Sequence, residues 1–168
     1  MSETATLPML RIAKTLAVMS IAFFATLAAF GNITDYRTNF AFVQHVMAMD
    51  TVFPDADVRY RAVTSPILHH FAYVLIIAVE TLVAALCWLG GVRMASRVRA
   101  EAILFNRSKN AAIVGLTLGY LLWQVGFMSV GGEWFGMWMS SQWNGLESAF
   151  RFFITILGVL IFVALRDD

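Results

Sequence analysis

The chain has 168 residues, of which 60% are apolar and 14% are charged. Soluble domains are typically about 45–50% apolar and about 25% charged, so this composition indicates a chain surrounded partly by lipid. A net charge of +1 and the lack of a basic, aromatic-rich stretch argue against nucleic acid as a partner. Cys87 is the only cysteine, which excludes an internal disulfide and a thiolate metal site.

Four apolar segments are long enough to cross a hydrocarbon core about 30 Å thick as helices. They cover residues 16–33, 67–89, 111–130 and 149–165. Since lipid satisfies no backbone polar group and the segments show no period-two alternation, helices are predicted and barrel strands are not. The predicted fold is all-α, an integral membrane four-helix bundle in a single domain.

Proline and glycine mark the predicted helix ends. Ser65-Pro66 supplies a capping hydroxyl and a first-turn proline before the second span. Gly90-Gly91 and Gly131-Gly132 follow the second and third spans, where glycine suits the left-handed conformation that ends many helices. We therefore predict connections over residues 34–66, 90–110 and 131–148.

Basic residues are distributed unequally between the two predicted sides of the membrane. One side carries Arg11, Lys14, Arg93, Arg97, Arg99, Arg107, Lys109 and Arg166, and the other carries Arg37, Arg59, Arg61 and Arg151. The positive-inside rule then predicts that the N- and C-termini are cytoplasmic. An alternative for the first segment is a cleaved secretory signal, although its apolar run is long for one.

The loops of the opposite side carry apolar and aromatic signals. Phe40, Val43, Val46 and Met47 recur at helical spacing, which predicts a short amphipathic helix on the membrane surface. The second loop is rich in tryptophan, which is typical of an interfacial segment; a docking surface is the alternative, because Trp and Met are favoured at interfaces. The candidate surface residues are Asp35, His45, Asp50, Glu133, Trp134, Trp138 and Trp143.

Polar side chains of the second span are spaced by four, seven and seven residues, which places them on one helix face. They are His69, Tyr73, Glu80 and Cys87. An ionisable group as deep as Glu80 is a functional candidate, so this stripe predicts a proton path or a substrate-lining wall. The alternative is an inter-helix seam in which a protonated or hydrogen-bonded Glu80 fixes packing. The predicted partners are Tyr120, Gln124 and Thr155.

The histidines argue against a haem group. His69 and His70 are adjacent and point about 100° apart, so they cannot ligate one iron from opposite faces, and no other span contains a histidine. A metal held by His45, His69 and an aspartate is the alternative to histidines that hydrogen-bond the loop. We predict no cofactor and no metal. No catalytic motif appears, and Asn32-Ile-Thr34 matches only a glycosylation triplet.

Small residues predict close helix packing. Gly115 and Gly119 are four residues apart, Gly126 follows one heptad later, and the first span offers Ala22, Ala25 and Ala29 on a matching face. The spacing leaves open whether these glycines pack inside the bundle or against another chain.

Several motifs carry a family resemblance. They are Asn32-Ile-Thr-Asp-Tyr36, His45-Val-Met-Ala-Met-Asp-Thr51, Phe53-Pro54, Leu68-His69, Gly131-Gly-Glu-Trp-Phe135, Met137-Trp138 and Trp143-Asn-Gly145. On these motifs the chain resembles the bacterial, largely proteobacterial, predicted small integral membrane proteins grouped as a domain of unknown function. The resemblance implies four spanning helices and a location in the bacterial inner membrane. In that membrane, the orientation predicted from the basic residues places the two long loops in the periplasm. It supplies no activity, cofactor or catalytic residue.

The leading functional hypothesis is a non-enzymatic accessory or interaction subunit. Its expected partners are the lipid bilayer and either another membrane protein or further copies of the chain. A second hypothesis is a proton-linked carrier that uses the stripe on the second span. A third, a quinone- or haem-associated redox subunit, is disfavoured by the histidine positions.

Overall fold

The computed structural model describes the backbone of residues 3–168 and the side chains from Pro8 onward. Within these residues there is no β-strand, and the all-α prediction is confirmed. The α-helices are α1 (Glu3–Thr34), α2 (Tyr36–Ala48), α3 (Pro66–Ala95), α4 (Ala102–Ser108), α5 (Asn110–Leu121) and α6 (Leu146–Ala164). Short 3₁₀ turns lie at Asp57–Arg61 and Met137–Met139, and a π-helical segment over Leu122–Trp134 continues α5.

Within the described residues, four helical stretches are long and apolar enough to cross a membrane. They are Pro8–Thr34, Pro66–Ala95, Ala102–Trp134 and Leu146–Ala164, which we call the first to fourth spans. Their outward side chains are large and apolar; Phe30 is 63% exposed and Ile67 is 79% exposed. Such surfaces suit lipid, whose tails are as apolar as these side chains. The prediction of a multi-pass membrane protein is confirmed.

The spans share a core of small and branched side chains. Ala22 and Ala25 of α1 are buried against the α3 face that carries Val83 and Cys87, and Ile156 of α6 completes the cluster. Small residues let helix backbones approach closely, and this close packing holds helices together in lipid, where burial of apolar surface contributes little.

The predicted packing glycines do not behave alike. A Cβ on Gly115 would lie 2.9 Å from Cys87 Sγ, and one on Gly119 would lie 3.3 Å from Val83 and from Ile156, so both glycines pack inside the bundle. Gly126 does not pack inside the bundle: among the described residues a Cβ there would meet only Leu122 of the same span, at 3.8 Å. Gly126 lies where the second and third spans have separated, and its packing against another chain stays a prediction.

Two glycine pairs lie inside the spans, not past their ends. α3 continues through Gly90-Gly91 to Ala95. These glycines admit neighbouring helices, since a Cβ on Gly90 would overlap the Ala112 backbone nitrogen and one on Gly91 would lie 2.8 Å from Met19. The connection therefore shortens to residues 96–101. Likewise the third span continues past Gly131-Gly132 to Trp134.

The two long connections meet to form one folded unit, the loop cap, made of residues 35–65 and 135–145. The predicted amphipathic helix is present as α2, with Val43 and Val46 buried. Met49 and Val52 pack with Val46 against the second connection, whose residues at 135 and 137 are also buried. A hydrogen bond of 2.8 Å between the Thr51 and Ser140 hydroxyls joins the two connections. The loop cap therefore has its own small core.

The contact at Gly90 predicts a strong steric effect. In Gly90→Ala the new methyl group overlaps the α5 backbone, so α3 and α5 must separate, at a cost of about 1–3 kcal/mol. We expect a lower thermal unfolding temperature in detergent, measured by intrinsic fluorescence. Gly158→Ala is the matched control, because a Cβ on Gly158 has no neighbour within 4 Å. Equal melting of the two variants would contradict the close approach.

Candidate functional site

All members of the predicted stripe on the second span face the interior. His69 and Tyr73 are each 2% exposed, Glu80 is 3% exposed and Cys87 is fully buried. The spacing therefore identified a real inward face of α3. Cys87 serves there as a small packing residue beside Gly115.

Glu80 is bound by a residue of the first span. Asn32 donates its side-chain amide to Glu80 Oε2 at 2.7 Å. The Tyr73 hydroxyl donates to the Asn32 backbone oxygen at 3.0 Å and lies 3.3 Å from Asn32 Oδ1. Glu80, Asn32 and Tyr73 thus form a hydrogen-bonded cluster, the Glu80 cluster, that joins the first two spans inside the membrane.

The partners predicted for Glu80 are not the ones found. Tyr120 packs its ring against Phe153, and Thr155 donates to the Arg151 carbonyl of its own helix at 2.7 Å. Gln124 makes no side-chain hydrogen bond with Glu80; its backbone carbonyl accepts from Ser129. The reason is geometric, since Gly119, Leu122 and Trp123 form the wall of the third span that faces Glu80.

A small cavity adjoins Glu80. Its volume is about 10 Å³, and its other walls come from apolar residues of all the spans, among them Ala25, Val83 and Ile156. This is about the room that one water molecule needs. The Glu80 cluster is thus enclosed by the helices and opens onto no wide aqueous path within the described residues.

Histidines lie around the end of the Glu80 cluster that is nearest the loop cap. His69 Nε2 donates to the Val63 carbonyl at 2.7 Å, and His70 Nδ1 lies 2.8 Å from the Tyr36 hydroxyl. His45 instead lies 2.7 Å from an Asp50 oxygen, in the loop cap. Among the residues with described side chains, no three potential ligands come together, so the alternative metal set of His45, His69 and an aspartate is not assembled.

The candidate surface residues fall into two groups. Asp35, Asp50, Glu133, Trp134 and Trp138 are exposed. His45 and Trp143 are partly buried and stack on each other, with ring centroids 4.6 Å apart and planes within 12°. The last two residues therefore hold the loop cap together and offer less free surface than predicted.

A buried ionic cluster at the opposite end of the bundle was missed. Asp167 Oδ2 accepts from Lys14 of α1 at 2.8 Å and from Lys109, and both lysines also donate to the Leu165 carbonyl at 2.8 Å. Arg11 Nε lies 3.9 Å from Asp167 Oδ1. We call these residues the Asp167 clamp; it ties the segment after α6 to the first and third spans.

The surroundings of Asp167 favour its ionised form. Burial raises the pKa of Asp167, but the hydrogen bonds and positive charges of Lys109 and Lys14 outweigh burial and hold that pKa below its ordinary value of 3.8. The Asp167 side chain is fully buried, and the side chains of Lys14 and Lys109 are almost fully buried. The carboxylate therefore neutralises cations that the fold has already removed from solvent.

These features define a small polytopic α-helical membrane protein with a polar cluster between spans and an ordered loop cap. Residues 10–166 match the family described as "predicted small integral membrane protein (DUF2165)". The match covers nearly the whole chain, so the chain belongs to this family. A comparison with curated proteins and one with solved structures each found no match.

The Asn32–Glu80 hydrogen bond predicts an energetic coupling between the first two spans. Removing both partners through Asn32→Ala and Glu80→Ala should reveal a coupling free energy of about 0.5–2 kcal/mol in a double-mutant cycle, the range for interhelical hydrogen bonds in membranes. Steric trapping or reversible unfolding in mixed micelles measures it. Thr155→Ala with Glu80→Ala is the control cycle and should show no coupling. If only the cycle of Thr155 with Glu80 shows coupling, then Thr155, as the sequence predicts, is the partner of Glu80 and Asn32 is not.

The Asp167 clamp predicts a dependence of stability on pH. Because the folded-state pKa is lowered, the stabilisation is complete above the ordinary value of 3.8 and is lost as the pH falls from there toward the folded-state pKa. Asp167→Asn removes one partner of a buried ionic cluster and should cost about 3–5 kcal/mol at pH 7. Thermal unfolding in detergent between pH 3 and pH 7 measures both effects. Glu101→Gln, at an exposed carboxylate of the same end, should unfold as the parent does.

Proposed function

We propose that the chain is a non-enzymatic interaction subunit of the bacterial inner membrane, with cytoplasmic termini and a periplasmic loop cap that docks against a second membrane protein. The excess of lysine and arginine at the end opposite the loop cap supports this orientation. The family description supports an integral membrane protein and names no reaction.

The observation that carries the proposal is an exposed aromatic pair on the loop cap. Phe53 and Trp138 come from the two different connections and meet edge to face, with ring centroids 5.9 Å apart. Phe53 is 51% exposed and Trp138 is 49% exposed. Tryptophan is among the residues that contribute most to binding energy when a partner buries them.

The loop cap holds this pair in place before any partner arrives. Trp138 lies in the 3₁₀ turn Met137–Met139, which follows Gly136 in the left-handed conformation at φ 62°. Met137 beside it is 2% exposed within the core of the loop cap. A preformed surface loses little conformational entropy on binding, which favours affinity.

Photo-crosslinking tests the docking role. A photoreactive amino acid at position 138 should yield one discrete adduct in living cells, and the same partner should co-purify with the parent chain in mild detergent. Trp138→Ala combined with Phe53→Ala should reduce co-purification at least tenfold without lowering the amount of folded protein, because the contacting rings are lost.

The matched control is Phe23→Ala, which removes an aromatic side chain of similar exposure, 57%, from the first span. It should leave co-purification unchanged. Equal loss in both variants, or adducts with lipid alone from position 138, would contradict a docking role for the loop cap.

A proton-linked carrier is the second candidate, and the Glu80 cluster favours it. The cluster places a carboxyl group, an amide and a phenol in hydrogen-bond contact between two spans, and such intramembrane carboxyl groups often serve proton pathways. The carrier function requires the helices to part, because Glu80 is 3% exposed.

Proteoliposomes separate the two candidates. If the chain is a carrier, purified protein should acidify vesicles loaded with a pH-sensitive dye under an imposed gradient, and Glu80→Gln should abolish that flux while keeping the hydrogen bond from Asn32. Cys87→Ala, on the same face of α3, is the control and should retain flux. If the chain is an interaction subunit and not a carrier, the parent protein and both variants produce no flux.

A further inference from the structure

A large apolar cleft separates the second and third spans next to the loop cap. Its volume is about 550 Å³. Near the other end the spans touch at Gly90 and Gly115, but toward the loop cap they diverge, and Gly126 on the third span lines the cleft. Val79 of α3 and Val125 of the π-helical segment form opposite walls, and Val46 of α2 closes the cleft toward the loop cap.

The residues that line the cleft favour a hydrocarbon ligand. Every residue that lines the cleft is apolar or a glycine. Ligand pockets of about 300–1,000 Å³ normally include a few polar groups that orient the ligand, and none is present here. A ligand with a polar body would lose its hydrogen bonds in such a cleft. A flexible apolar chain has no hydrogen bonds to lose.

The length of the cleft argues against a helix as the occupant. On α3 the lining residues run only from Ala72 to Val79, which at about 1.5 Å of rise per residue is about 10 Å of wall. A helix that spans the hydrocarbon core is about 30 Å long, so a second copy or a partner span would leave most of its length outside the cleft.

A cation contacts residues that adjoin the lining of the cleft on the side of the loop cap. Arg61 donates to the Trp134 carbonyl at 3.4 Å, and its guanidinium lies 4.9 Å from the centre of the Trp134 ring. The next residue, Phe135, lines the cleft, and so does Met47, whose carbonyl accepts from the Val63 nitrogen at 2.8 Å. Arg61 has no carboxylate partner among the residues with described side chains, so its charge is available to a phosphate.

We propose that this cleft binds one acyl chain of an anionic phospholipid, with the lipid phosphate at Arg61. Trp134 marks the interfacial depth that tryptophan favours in membranes, and the acyl chain runs from that level into the cleft past Gly126. The site is separate from the Phe53–Trp138 pair and from Glu80.

Native mass spectrometry of the purified chain tests the site. The probes are palmitoyl-oleoyl phosphatidylglycerol and palmitoyl-oleoyl phosphatidylcholine, titrated separately into delipidated protein. We expect the parent chain to retain one phosphatidylglycerol. Gly126→Leu extends a side chain into the cleft and should weaken retention at least tenfold. Ala72→Phe fills the cleft from the α3 side. It is the second test variant if Gly126→Leu does not fold, and it should weaken retention in the same way.

Two controls make the result specific. Gly158→Leu adds the same side chain to a lipid-facing glycine with no neighbour within 4 Å, and it should retain lipid as the parent does. Arg61→Gln should remove the preference for phosphatidylglycerol over phosphatidylcholine, whereas Arg59→Gln should keep it.

Equal retention by the Gly126 and Gly158 variants would overturn the proposal. So would a lipid-free dimer that Gly126→Leu converts to monomer, because a second copy would then fill the cleft.

Discussion

Hydrocarbon forms no hydrogen bonds, and this property decides where each polar side chain of the spans can lie. The structure meets this constraint in several ways. Glu80 is held by Asn32 near the middle of the bundle, and Asp167 is held by Lys14 and Lys109 at one end. Elsewhere hydroxyl groups turn back onto their own helices, as Thr155 does onto the Arg151 carbonyl. Each arrangement gives the polar atoms a hydrogen-bond partner within the protein, which hydrocarbon cannot supply.

The positions of buried residues along the first span explain what the sequence could predict there. Ala22, Ala25 and Ala29 were recognised as a small face from their spacing, and all are buried. Asn32 continues the same spacing three residues later, so its inward position was readable from the chain. The motifs that contain Asn32 are a glycosylation triplet and a family motif. Neither predicts a buried amide, because a short surface motif and a buried amide use the same residue type. Its pairing with Glu80 required the antiparallel alignment of α1 and α3.

The Asp167 clamp was beyond prediction for a different reason. Lys14 lies four residues before Val18, on the buried face of α1, yet basic residues near the end of a span are ordinarily solvated, and the positive-inside rule treats them so. Lys14 is 1% exposed because Asp167 reaches it from 153 residues away along the chain. Helical periodicity shows which face of a helix a lysine occupies. The arrangement of all the spans is needed to show that a carboxylate lies against that face.

Glycine was ambiguous in sequence for a related reason. A pair of glycines ends a helix when one adopts the left-handed conformation, and it joins two helices when the missing side chains admit a neighbour. Gly90-Gly91 does the second, since Ala112 and Met19 occupy the space where Cβ atoms would be. Gly126 lacks such a neighbour although its heptad spacing from Gly119 matches.

This difference between glycines separates the bundle into two unlike halves. Close contacts at Gly90 and Gly115, together with the Asp167 clamp, fix the spans at the basic end. Toward the loop cap the second and third spans diverge, and α2 and the second connection cover the gap. A bundle that needed only stability would close along its whole length, because a cleft loses dispersion contacts on both walls. The proposed docking surface and the proposed lipid site both lie in this open half, and the closed half holds the two spans together beside it.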